Sequence, residues 1–147
     1  MAATFTPSSV IATRPVTGRD RARATWRNMG LWTLQGWIAM FFIAAGYAKL
    51  TESIDNLTAL MIWPGQVGEA VVRGLGVVEI VLAIGILAPL VSWKVGRPIL
   101  MIAATGLALL EVVMLGVHAI GADLGLSLVN VFLLAITIPV LLGRRAR

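Results

Sequence analysis

Two glutamates lie deep inside apolar runs of this sequence, and their carboxyl groups are the side chains best placed to do chemistry. They are Glu79 and Glu111. Ionisable side chains inside such runs are costly and usually face the interior of a helix bundle. A carboxyl group at that depth has to be protonated or paired with a cation, because burial disfavours its charged form. It could then bind a polar ligand headgroup or relay protons to it.

Other polar residues are predicted to lie at a similar depth. Lys49 and Arg73 are the nearest cations to Glu79. His118 follows Glu111 by seven residues, which places both on one face of a helix, about two turns apart. The sequence therefore predicts one polar pocket, open toward the outer face of the protein. Its predicted members are Lys49, Arg73, Glu79, Glu111, His118, Asp123 and Asn130.

Each of these residues also has a purely structural interpretation. Lys49, Arg73 and Asp123 could extend to the lipid headgroups, and each glutamate could make only a hydrogen bond between helices. His118 is the one histidine of a chain without cysteine, so we predict no metal site. The lack of cysteine also excludes thiol redox chemistry by this chain. Because no catalytic motif is present, we expect no catalytic activity of the chain on its own.

Four apolar runs have to position these residues. Of the 147 residues, 59% are hydrophobic and 13% are charged, whereas about 25% are charged in an average soluble domain. Each run is close to the ~20 residues that cross about 30 Å of hydrocarbon as a helix. We therefore predict an all-α fold, a membrane four-helix bundle. The predicted spans are residues 31–48, 70–91, 98–120 and 124–142, with Pro89 near the end of the second and Pro98 in the first turn of the third.

Basic residues flank the predicted spans on one side. The net charge of +5 could suggest nucleic acid, but the Lys and Arg residues occur beside apolar runs, so we predict the lipid bilayer as partner and no nucleic acid. The positive-inside rule makes that side cytoplasmic. We predict a basic cytoplasmic N-terminal tail at residues 1–28, the bundle at 29–143 and a basic cytoplasmic C-terminal tail at 144–147. The predicted location is a bacterial inner membrane.

Residues 50–69 form the one long connection between spans. Apolar residues recur at helical spacing from Ile54 to Met61, which predicts a short interfacial amphipathic helix between spans one and two. Trp63 is predicted to anchor it at the membrane interface. The alternative is that this connection forms a lid over a cavity in the bundle.

Small residues are placed where helices could approach one another closely. One group lies near the end of the first span, and the other shares a helix face with Glu79. Such residues suit packing within the chain, against a second copy or against a partner. The predicted packing residues are Ala44, Ala45, Gly46, Ala48, Gly76 and Ala83.

Two short segments form recognisable motifs. One is Gly46-Tyr47-Ala48-Lys49-Leu50, and the other is Gly76-Val77-Val78-Glu79, which is followed by Leu87-Ala88-Pro89-Leu90. The first is similar to the Gly-x-x-Lys-Leu pattern that ends the first helix of the DoxX-like family of small four-helix integral membrane proteins, and the second resembles the second helix of that family. The resemblance covers most of the chain, and it implies that Gly46, Lys49 and Glu79 matter most.

The resemblance implies a membrane partner of other proteins, since some relatives take part in quinone-linked sulfur oxidation or in membrane-bound redox assemblies. We expect an accessory or scaffold subunit that docks in the bilayer against a larger complex, through other membrane protein subunits or self-association. The alternative is the membrane subunit of a quinone-linked oxidoreductase, with quinone bound in the polar pocket around Glu79 and no intrinsic cofactor. A small-solute or proton pathway is less favoured, because the sequence has no internal repeat or broken span.

Overall fold

The apolar runs form long helices. The computed structural model describes residues 17–145, and in that range it contains five α-helices, two short 3₁₀ helices and no β-strand. Four of the α-helices are long and apolar enough to cross a membrane, so the predicted all-α four-helix bundle is confirmed. The α-helices are α1 (Gly18–Thr51), α2 (Ile54–Met61), α3 (Glu69–Leu87), α4 (Trp93–Ile120) and α5 (Leu124–Arg145), and the 3₁₀ helices are Trp63–Gln66 and Ala88–Leu90.

α1 begins earlier than the predicted first span. Thr17 and Asp20 form a capping box, in which the Thr17 hydroxyl accepts from the Asp20 N–H and the Asp20 carboxylate accepts from the Thr17 N–H. This pair satisfies two backbone donors at the helix start. The hydrogen bonds from Thr17 also hold the pKa of Asp20 below its ordinary value. Residues 18–28 of the predicted N-terminal tail are therefore helical, whereas residues 1–16 lie outside the described residues.

The four long helices pack as a ring. α1 packs against α3, α3 against α4 and α4 against α5, while the contact between α1 and α5 is smaller. Their core includes Ile38 and Phe42 of α1, Ile86 of α3, Leu107 of α4 and Leu133 of α5. The start of α1 and the end of α5 lie together at one end of the bundle, called the termini end below. The opposite end, which carries the connection between α1 and α3, is called the loop end.

Proline shapes the connection between α3 and α4. Pro89 lies in the 3₁₀ helix that follows α3, where its missing N–H ends the α-helix. α4 then starts at Trp93, because the Ser92 carbonyl already accepts from the Gly96 N–H at 2.7 Å. Pro98 therefore lies inside α4, and its predicted place in the first turn is wrong.

The connection between α1 and α3 folds back against the loop end. α2, which starts after the cap residue Ser53, forms where an amphipathic helix is predicted. Leu57 and Trp63 are buried in a small core with Val72 of α3. Residues 54–66, which comprise α2 and the following 3₁₀ helix, are called the cover segment below.

Candidate functional site

α1 and α3 approach each other closely where two glycines meet. A Cβ atom on Gly46 would lie 2.6 Å from the Gly76 carbonyl oxygen, and one on Gly76 would lie 2.8 Å from the Gly46 carbonyl oxygen. Only glycine permits this approach at both positions. Gly46 faces Glu79 across the interface, and Gly76 faces Lys49. The Lys49 side chain therefore has to extend only about one turn along the interface to reach Glu79.

Lys49 and Glu79 form a buried ion pair. The Lys49 Nζ atom lies 3.0 Å from Glu79 Oε1 and 2.9 Å from Oε2. The two side chains are only 5% and 3% exposed. Breaking such a pair by removing one partner is strongly unfavourable, because the other charge stays buried. The pair gives this part of the bundle a polar surface that carries no net charge.

Arg73 lies outside this site. Its guanidinium donates to the carbonyl oxygens of Lys49 at 2.5 Å and Glu52 at 2.8 Å, and it pairs with Glu69 at 2.9 Å. The last carbonyls of a helix have no partner within the helix, and Arg73 supplies donors to them at the end of α1. Arg73 therefore caps the end of α1 and does not line the predicted pocket.

A cavity of about 250 Å³ lies beside the ion pair. All four long helices and the cover segment contribute to its walls. Four of the predicted pocket residues line it, namely Lys49, Glu79, His118 and Asn130. Its other walls are apolar and include Phe42, Ala45, Leu110, Met114 and Leu126.

The cover segment closes one side of this cavity with Leu60, Met61 and Trp63. Ile62 has a φ of 64°, an uncommon conformation for a β-branched residue, and this turn is followed directly by Trp63. Trp63 is only 7% exposed, so its predicted role as an interfacial anchor is wrong. Among the described residues, its buried Nε1 atom has no hydrogen-bond partner. One of the side chains that line the cavity therefore carries a buried donor whose partner is not supplied by residues 17–145.

Glu111 is buried away from the cavity. Its Oε1 atom accepts a hydrogen bond from the Thr137 hydroxyl at 2.8 Å, which links α4 to α5. No hydrogen bond is made to its Oε2 atom by any described residue. Glu111 is thus separate from the residues with which it is predicted to converge.

His118 lies between two cavities. It lines the cavity beside the ion pair and also a second cavity of about 200 Å³ at the loop end, to which Gln66 and Asp123 contribute. Met61 and Trp63 line both cavities as well. The His118 Nδ1 atom is 3.9 Å from Asp123 Oδ2, while Asp123 Oδ1 accepts from the Leu126 N–H at the start of α5. The predicted Asp123 is therefore near His118 and away from the ion pair.

The small residues divide between the interior and the surface. Gly46, Gly76 and Ala83 are buried at helix contacts, whereas Ala44 is exposed. Ala45 and Ala48 are half-buried, and Ala45 also lines the cavity.

A second buried polar cluster, which the sequence does not reveal, lies at the termini end. Arg144 is fully buried and donates to Gln35 Oε1 and Asn28 Oδ1, each at 2.7 Å. Its guanidinium carbon lies 5.0 Å from the ring centroids of both Trp32 and Trp93. We call these five residues the arginine cluster. Its placement corrects the prediction that Arg144 belongs to a cytoplasmic tail.

Gln35 connects the arginine cluster to a further helix. Its Nε2 atom donates to the Ile86 carbonyl oxygen of α3 at 2.9 Å. The polar amide of Gln35 in the first predicted span is the one sequence feature that points to this cluster, because such a group has to find hydrogen-bond partners inside the bundle.

These features define an integral membrane protein of the four-helix type, in which a glycine contact positions a buried lysine–glutamate pair. The sequence matches the DoxX-like family over residues 33–140, and the chain belongs to that family. The matched range contains Gly46, Lys49 and Glu79, on which the resemblance to the family rests. No curated protein and no solved structure matches the chain.

Proposed function

We propose that this DoxX-like protein is the membrane subunit of a quinone-linked oxidoreductase, and that the cavity beside Lys49 and Glu79 binds the quinone headgroup. One observation carries the proposal, namely that a buried ion pair forms the polar part of an otherwise apolar cavity. Sites for small molecules combine apolar walls with a few polar groups in this way. The cavity of about 250 Å³ suits a ring-sized headgroup.

The polar groups of the cavity match the chemistry of a quinone. A quinone head has two carbonyl oxygens, which need hydrogen-bond donors when they are removed from water. Lys49 Nζ has protons to donate, and the N–H of Trp63 is a buried donor without a partner among residues 17–145. Reduction to the quinol consumes two electrons and two protons. We assign proton relay to Glu79 and the supply of electrons to a partner subunit.

The test is the quinone content of protein extracted gently from its native membrane. Glu79→Gln removes the carboxylate but leaves Lys49 buried without it, so we add a double variant, Lys49→Met with Glu79→Met, which leaves no charge at the site. Glu111→Gln is the control, because it changes a buried carboxyl group outside the cavity. We expect quinone to be lost from both site variants and retained in the control. Equal quinone content in all well-folded variants overturns the proposal.

We also propose that the protein docks in the bilayer as an accessory or scaffold subunit of a larger complex. Ala44 is exposed on α1, and Ala45 and Ala48 beside it are half-buried. Small residues on such a face allow another helix to approach closely, although Met40 one turn earlier keeps this patch short. Mass spectrometry of Ala44→Leu should show loss of a partner or of self-association. Gly116→Leu, at a position with open space on α4, should not. Wild-type protein without any stoichiometric partner contradicts this role.

We further propose a bacterial inner membrane location with the termini end in the cytoplasm. Lys94, Arg97 and the basic start of α1 lie at that end, in agreement with the positive-inside rule. Because the chain has no cysteine, single cysteines can report on sidedness. An impermeant maleimide added to intact cells should label Ala122→Cys and not Ala22→Cys. The reverse pattern inverts the orientation.

A further inference from the structure

A second apolar surface adjoins the cavity beside the ion pair. It is a groove of about 380 Å³ between α1 and α5, whose walls include Trp37 and Phe132. Three side chains line both the groove and the cavity, namely Phe41, Val129 and Leu133. The groove and the cavity therefore lie side by side and share these three side chains in their walls.

An apolar lining alone does not distinguish this groove from other grooves on the bundle surface. A groove of about 420 Å³ between α3 and α4 is lined by residues such as Val81 and Val95. None of the residues that line it belongs to the cavity, within the part of the chain that the structure describes. The contact between α1 and α5, the two helices that form the first groove, is also smaller than that between α1 and α3.

We infer that the groove between α1 and α5 holds the hydrocarbon tail of an amphiphilic ligand whose ring occupies the cavity beside Lys49 and Glu79. This inference rests on the proposed function, because it needs a headgroup at the ion pair. The cavity has room for a ring but not for a long tail as well. An isoprenoid or alkyl tail attached to a ring in the cavity can pass between Phe41 and Val129 directly into the groove.

The tail contributes little affinity on this arrangement. Lipid tails are as apolar as the groove, so moving a hydrocarbon chain from the bilayer into the groove gains little free energy. The groove instead determines which ligands fit, namely rings that carry one flexible apolar substituent.

The direct test is photolabelling in nanodiscs with a benzoquinone that carries a diazirine near the end of an alkyl tail. Labelled positions are mapped by mass spectrometry, with and without excess tail-less benzoquinone. We expect labels on Trp37 and Phe132 that the tail-less quinone removes. If the labels that the tail-less quinone removes lie instead at Val81, Val95 or elsewhere, the headgroup site is supported but the assignment of the tail to the groove between α1 and α5 is overturned. If the tail-less quinone removes no label at any position, the headgroup site itself fails, and the inference fails with it.

A pair of variants gives an independent readout. Leu128→Trp fills part of the groove between α1 and α5 at a position that does not line the cavity, and Val95→Trp fills the groove between α3 and α4. Overfilling the first groove should weaken binding of the tailed quinone by about tenfold or more. Binding of the tail-less quinone to Leu128→Trp, and of both quinones to Val95→Trp, should stay within about twofold of wild type. Equal weakening of both quinones by Leu128→Trp contradicts a tail in this groove.

Discussion

Lys49 on α1 and Glu79 on α3 are joined by two hydrogen bonds of 3.0 and 2.9 Å inside the bundle. Their partnership predicts strong coupling between substitutions at the two positions. Glu79→Met or Lys49→Met alone should lower the free energy of unfolding by about 3–5 kcal/mol, because each leaves one charged partner buried without the other.

Replacing both Lys49 and Glu79 should lower the free energy of unfolding far less than either single substitution does. The double variant Lys49→Met with Glu79→Met puts apolar side chains of similar length at both positions, and a buried pair replaced in this way is often neutral in stability. Reversible unfolding in mixed micelles measures all four proteins of the cycle. Simple addition of the two single losses in the double variant contradicts a coupled pair.

The glycine contact between α1 and α3 predicts a sharp difference between glycines of the same helix. Gly76→Ala should destabilise the protein by about 1–3 kcal/mol, because the new methyl group meets the Gly46 carbonyl oxygen, which cannot move without shifting α1. Gly74→Ala is the control, since its Cβ would meet nothing within 4 Å. It should leave stability unchanged or raise it slightly, because alanine favours the helix. Equal effects of the two substitutions contradict close packing at Gly76.

The sequence predicts well how far along the bundle a residue lies, but it predicts poorly which face of each helix turns toward the interior. Hydrophobic runs and the spacing of polar residues predict that Lys49, Glu79 and Glu111 converge on one pocket. The structure joins Lys49 to Glu79, but the Glu111 side chain points toward Thr137 and away from the cavity. Which way a helix face turns is decided by packing, for example by the contact between Gly46 and Gly76, and this contact is not encoded in the apolar pattern alone.

Residues near the ends of helices are the hardest to predict. Trp63 and Arg144 are of residue types that commonly lie at the membrane interface. In the structure, however, both side chains are buried. The burial of Arg144 depends on Gln35, which lies 109 residues earlier in the chain. A contact between residues so far apart in the sequence cannot be predicted from any short segment. The DoxX-like motif around Lys49 consists of consecutive residues, and it can therefore be recognised in the sequence.

The hydrogen bond between Glu111 and Thr137 predicts opposite outcomes for two small changes. Thr137→Val removes the donor and leaves both carboxyl oxygens of Glu111 without a partner among the described residues, at a cost of about 1–3 kcal/mol. Glu111→Gln keeps an acceptor for the Thr137 hydroxyl and should change stability by less than about 1 kcal/mol. Thermal unfolding in detergent measures both. A larger loss for Glu111→Gln than for Thr137→Val would show that Glu111 depends on its charge.

The arginine cluster predicts that lysine cannot replace arginine at the end of α5. The Arg144 guanidinium donates to Gln35 and Asn28 at once while lying against two tryptophan rings. A lysine ammonium is a compact charge without the planar fork that this geometry uses. Arg144→Lys should therefore lower stability by about 2 kcal/mol or more.

Arg145→Lys provides the matched control for this change, because Arg145 is exposed on the same turn and its backbone carbonyl, which accepts from Arg97, is unaffected. Its thermal unfolding should match that of the wild type. If Arg144→Lys unfolds at the wild-type temperature too, the bundle is held at the termini end by apolar packing, and the guanidinium contacts add nothing measurable. Because Gln35 links the cluster to the Ile86 carbonyl, loosening the cluster should also speed hydrogen exchange at the end of α3. Exchange at the Lys49–Glu79 end, which makes none of these contacts, should stay as in the wild type.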